Sequence, residues 1–137
     1  MQPSILALLG YAGWTLWLVV SLLSFRTWLT LTGKRAANDF LPTGEDVSAL
    51  SQRHCRAMAN SFDNFPIFAV LILVAVLTDN AGVTDGLALW VLAARVGQSC
   101  VHLLSTSEMA VTVRFTLYSV QVGIEVYWLV QLVKLAM

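Results

Sequence analysis

The chain has 137 residues, 58% of them apolar and only 12% charged, with eight basic and eight acidic side chains in balance. A soluble domain carries about 25% charged residues, so this chain is expected to have lipid as its main solvent, and its length suits one domain. Zero net charge offers no basic field for nucleic acid. Cys55 and Cys100 lie in apolar helical segments with no CxxC pair and no histidine at ligand spacing, so neither a disulfide framework nor a metal centre is expected.

The first predicted element covers residues 5–31 and is interrupted only by Arg26 near its end. It has no basic region ahead of it and is too long for a signal peptide, so it reads as a retained transmembrane helix. The polar stretch TGKRAANDFLPTGEDVSALSQRH follows, broken by Gly33, Pro42 and Gly44, and reads as a loop with room for a short surface helix.

The second predicted span, residues 56–78, begins CRAMANSFDNFPIF. Its purely apolar part after Pro66 holds about 13 residues, which cover roughly 20 Å of a hydrocarbon core about 30 Å thick. The helix must therefore run back through Asn64, Asp63 and Asn60 towards Arg56, which places polar groups at the membrane boundary. Pro66 removes one helical hydrogen bond and predicts a kink that membrane helices tolerate.

The turn DNAGVTDG leads to a third predicted span at 87–104. STSE then breaks the pattern, with Ser107 as the start signal for a fourth span at 109–135. The first loop and its flanks hold Arg26, Lys34, Arg35, Arg53 and Arg56, whereas the second holds Asp79 and Asp85 and no basic residue. The positive-inside rule predicts a cytoplasmic first loop and both termini on the far side.

Polar residues recur at helical spacing in three of these spans. Arg56, Asn60, Asp63 and Asn64 fall on one predicted face. Arg95, Gln98, Ser99 and His102 form a second stripe, and Arg114, Tyr118, Gln121 and Glu125 a third. An ionisable residue inside a span costs about 2.5–3.5 kcal/mol, so each must face protein or water. Stripes at similar depth predict a shared polar cavity open to the cytoplasm. Three arginines against Asp63 and Glu125 suit a small zwitterion with several carboxylates. Isolated ion pairs that fix helix register are the plainer reading of any one residue, and His102 alone would ordinarily be a packing residue.

The stretch RAMANSFDNFPIF resembles the signature of the MAPEG family, the membrane-associated proteins of eicosanoid and glutathione metabolism. The likeness rests on Arg56, Ala57, Asn60 and an acidic residue at Asp63, where the family usually has Glu. AARVGQSCVHLL is similar to the family's Gly-Arg-Val segment, with Arg95 at its arginine. RFTLY is similar to its Arg-x-x-x-Tyr, and Thr32 to Arg35 to the end of its first helix. The resemblance implies an all-α, four-helix transmembrane bundle assembled as a homotrimer, with glutathione bound between subunits near the cytoplasmic face. It implies a glutathione site of Arg56, Asn60, Asp63, Arg95 and Tyr118, with Gln98 and His102 on the same stripe as Arg95. Arg114 would activate the thiol for attack on a lipophilic substrate delivered by the bilayer. Eicosanoid-making members often have His and Tyr where Gln98 and His102 align. A general transferase or peroxidase is therefore expected, in the inner membrane of a bacterium or the endoplasmic reticulum of a eukaryote. The alternatives are a non-catalytic binder of lipid or protein and, last, an ion path through Asp63, His102 and Glu125.

Overall fold

The computed structural model describes residues 2–34, 36, 48–105 and 107–137. The fold is all-α: α1 (Pro3–Leu31), α2 (Ala49–Leu77), the single turn α3 (Gly82–Asp85), α4 (Ala88–Leu104) and α5 (Glu108–Ala136). Helices α1, α2 and α4 pack against one another, while α5 lies on α4 and along part of α2. Helices α1 and α2 are long and apolar enough to cross a membrane, and α4 is apolar but shorter.

Local chemistry sets the helix ends. Ser48 Oγ accepts from Ser51 N at 3.0 Å, and Ser107 Oγ accepts from Ala110 N at 3.2 Å, so hydroxyls cap α2 and α5. The Ser48 cap starts α2 before residue 56, so residues 49–54, read from the sequence as the end of a loop with room for a short surface helix, belong to α2 itself. Arg53 Nε donates to Leu103 O at 3.1 Å and fastens this extra length to the end of α4. At the other end of α1, Gly33 takes φ +75°. Its N–H donates to Thr30 O and that of Lys34 to Leu29 O, a Schellman closure. Asp79, at φ 60°, closes α2 the same way through Val76 O and Ala75 O. The first turn of α1 is capped in trans, since Asp85 Oδ1 accepts from Ser4 N at 3.1 Å and Ser4 Oγ at 2.6 Å.

Burial is inverted relative to a soluble bundle. The packed stripe of α1 is Ser4, Ala7, Tyr11, Thr15, Leu18 and Leu22, spaced three or four residues apart and rich in small and hydroxyl side chains. Large apolar groups such as Leu16, Leu23, Val70, Trp90 and Leu129 point outwards. Thr15 Oγ1 and Ser61 Oγ share a hydrogen bond of 2.7 Å, and Tyr11 Oη donates to Ser61 O at 3.0 Å, joining α1 to α2 in the interior. A glycine likewise lets α1 approach α4: a Cβ on Gly10 would meet Leu92 Cδ2 at 2.6 Å. Phe68 is the centre of the apolar core, with ring centroids 5.1 Å from Tyr11 and 6.0 Å from Trp128.

Candidate functional site

Asn60 is the junction of a polar network between α2, α4 and α5. Its side-chain oxygen accepts from Arg95 Nη1 at 3.4 Å and from Asn64 Nδ2 at 3.1 Å, and its Nδ2 donates to His102 Nε2 at 3.2 Å. Asn64 also donates to Asn60 O at 3.1 Å, the helical carbonyl one turn back. Arg114 Nη1 reaches the same imidazole, 2.8 Å from Nε2 and 2.9 Å from Nδ1. Asn60 Nδ2 and the guanidinium can only donate. The imidazole is therefore the acceptor for both.

Asn60, His102 and Arg114 line a cavity of about 310 Å³, whose other polar walls are Gln98 and Tyr118 and whose apolar walls are Val111 and Phe115. Gln98 is fixed from behind, its Oε1 accepting from Gln121 Nε2 at 2.9 Å. Arg95 is 1% exposed, and its guanidinium lies 5.7 Å over the Tyr11 ring, a cation–π distance. Among the described residues, Nε of both Arg95 and Arg114 is buried without a hydrogen-bond partner. Burying a donor of a charged group unpaired is costly, and donors aimed at an anion would recover that cost. Arg114 touches the His102 imidazole directly, and Arg95 is linked to it through Asn60.

The α2 stripe is split. Asn64 is buried and Asn60 half-buried, whereas Arg56 and Asp63 are exposed on the single chain and do not line the cavity. At about 100° per residue the stripe fans over roughly 100°, with Asp63 and Arg56 at one edge, Asn60 between and Asn64 at the other. One face by spacing is thus wide enough to straddle the rim of the packed interior. In α4 all four stripe residues turn inwards; Arg95, Gln98 and Ser99 are buried and His102 is half-buried. In α5, Gln121 and Glu125 are buried, Arg114 is half-buried and Tyr118 lies at the cavity edge. Arg35, the sequence candidate for a basic group past the first helix, lies outside the described residues. Tyr11 and Ser61 were not among the sequence candidates. A lone tyrosine in the middle of an apolar span was their one available signal, because its hydroxyl needs a buried partner.

Tyr118 also borders a second, larger space of about 500 Å³ between α2 and α5. Pro66, Ile67, Val70, Leu71, Val122, Val126 and Leu129 make it apolar, and Asn64 and Glu125 interrupt it. The protein is therefore a helical membrane bundle with a donor-rich chamber opening beside an apolar groove. Residues 4–134 match the sequence model of the MAPEG family, and the chain belongs to that family. It is accordingly a membrane protein of the glutathione and eicosanoid metabolism family. No curated protein and no solved structure matches the chain.

Proposed function

We propose that this chain is a microsomal glutathione transferase-like enzyme that conjugates lipophilic electrophiles or reduces lipid hydroperoxides. The observation that carries the reading is that Asn60, His102 and Arg114 line one cavity of about 310 Å³, with the buried Arg95 bonded to Asn60 behind it. That volume is at the small end of ligand sites, about 300–1,000 Å³, and fits a compact charged peptide rather than a lipid. Glutathione brings two carboxylates, an ammonium and a thiol. Arg95 and Arg56 suit the carboxylates, Asp63 the ammonium, and Arg114 the sulfur.

Arg114 cannot accept a proton, but a cation beside a thiol favours the thiolate and raises its fraction near neutral pH. The thiolate then attacks an electrophilic carbon, forming an S–C bond as the leaving group departs. With a hydroperoxide the sulfur takes the terminal oxygen, releasing the alcohol. A second glutathione then yields the disulfide and water.

Four spans with a cytoplasmic first loop and a homotrimeric assembly belong to the same proposal. Arg56 and Asp63 support the assembly, because they stand exposed beside the cavity of a single chain and would complete it only when a second copy closes over them. A non-catalytic lipid binder is the second reading, favoured by the apolar groove.

The test is glutathione binding to detergent-purified protein, followed by the ultraviolet band of bound thiolate, with Arg114→Ala as the control. Saturable binding with a thiolate band that the variant loses supports the enzyme. Binding with an undiminished band in the variant removes Arg114 from the mechanism. No binding at millimolar glutathione refutes the transferase and leaves the lipid binder.

A further inference from the structure

A cavity of about 320 Å³ lies between α1 and the first turns of α2, and it shares no lining residue with the chamber of Asn60 and Arg114. Trp17, Phe25 and Leu50 make its apolar walls, and Ser21, Ser51 and His54 interrupt them. At about 100° per residue, Ser51 and His54 stand about 120° or more round α2 from Arg56 and Asp63. This is a different face from the one assigned to a second copy of the chain.

Two polar groups at this cavity are left over from the packing. Ser51 is 3% exposed, and among the described residues its hydroxyl has no hydrogen-bond partner. A hydroxyl buried in this way is costly until a ligand pairs it. His54 is oriented by α1. Its Nε2 lies 2.8 Å from Leu18 O and 3.0 Å from Ser21 Oγ, which itself donates to Leu18 O at 3.0 Å. A carbonyl only accepts, so Nε2 carries a proton. Nδ1 of the neutral ring is then an acceptor, with no partner among the described residues. Residues three apart on a helix have Cβ atoms about 5–6 Å from each other, so Ser51 and His54 can meet over one small group.

We propose that this cavity binds a lipophilic phenol, a small apolar ring compound bearing one hydroxyl. Only a group that both gives and takes a hydrogen bond answers the two residues. The phenol O–H donates to His54 Nδ1, and its oxygen accepts from the Ser51 hydroxyl. An ether or a carboxylate leaves Nδ1 unpaired. An ammonium finds no counter-charge, because among the described residues no acidic side chain lines the cavity. The ring lies between Trp17 and Phe25, eight positions and about 12 Å apart along α1, whose aromatic faces favour a flat partner. A volume of about 320 Å³ is near the floor of ligand sites, about 300–1,000 Å³, which suits one or two fused rings rather than a phospholipid. The proposal goes beyond the transferase reading and stands without it, since neither Ser51 nor His54 belongs to the glutathione site.

The test follows the two histidines of the chain, His54 and His102, by ring-nitrogen NMR of full-length, histidine-labelled protein in detergent micelles, with His54→Gln fixing the assignment. Naphthol is titrated beside its methyl ether, which accepts a hydrogen bond but cannot donate one. Naphthol is expected to shift His54 Nδ1 saturably and to leave the His102 nitrogens in place, at concentrations roughly tenfold below those the ether needs. Ser51→Ala is expected to weaken naphthol roughly tenfold without lowering the temperature of thermal unfolding, because the hydroxyl it removes bonds nothing in the chain. Equal affinity for naphthol and its ether overturns the proposal and leaves a cleft for any ring. Unchanged affinity in Ser51→Ala overturns it too, and so does a loss of stability in that variant, which would mean that the hydroxyl is paired within the protein. A His54 resonance that naphthol does not move gives the cavity to detergent or lipid chains and also overturns it.

Discussion

Replacing Asn60 by leucine keeps the branched shape of the side chain and removes its three hydrogen bonds. Two of these join neutral partners, Asn64 within α2 and His102 across to α4, and each is taken at about 0.6 kcal/mol, the average of interhelical bonds in membrane proteins. The third comes from Arg95, a charged donor 1% exposed. Bonds to charged groups contribute about 1.5–3 kcal/mol, and at 3.4 Å this one belongs at the lower end. The sum is about 3 kcal/mol, half of it in the arginine. Asn60→Leu is therefore expected to lower unfolding stability in mixed micelles by about 3 kcal/mol, read by circular dichroism against denaturing detergent. A double-mutant cycle with Arg95→Met isolates the charged bond and should return a coupling of about 1.5 kcal/mol. A coupling below about 0.3 kcal/mol would show that Asn60 does not hold Arg95, and the network reasoning would be wrong.

Two further outcomes follow from backbone geometry. Asp79 holds a left-handed conformation at the end of α2, where a side chain costs roughly 1–2 kcal/mol and glycine does not. Asp79→Gly should raise stability by about 1 kcal/mol in the same unfolding assay, and no change would mean that its carboxylate offsets the strain. Gly10 and Gly13 are both helical, but only a Cβ at Gly10 strikes Leu92. Gly13→Ala should gain about 0.5–1 kcal/mol from the lost flexibility of glycine, and Gly10→Ala should gain nothing because the clash consumes it. Equal shifts in thermal unfolding would contradict the close approach of α1 and α4.

Periodicity and composition together determine much of this protein. A chain with so few charges must meet lipid, and polar residues recurring every three or four positions in apolar helices must share a face. The α4 stripe of Arg95, Gln98, Ser99 and His102 was legible for that reason, because its helix packs on α1, α2 and α5 and the whole arc of about 100° turns inwards. Residues 49–54 were not legible as the first turns of α2. Their polarity matches a loop, and the start of α2 depends on the Ser48 cap and the tie from Arg53 to α4. Nor could spacing divide the α2 stripe. Arg56 and Asp63 fall outside the packed interior and Asn64 within it, because the contact boundary between helices cuts across an arc of about 100°. Sequence fixes a residue's angle about its own helix axis, and only tertiary packing decides which angles face a neighbour. Tyr11 owes its place beneath the Arg95 guanidinium to that packing alone.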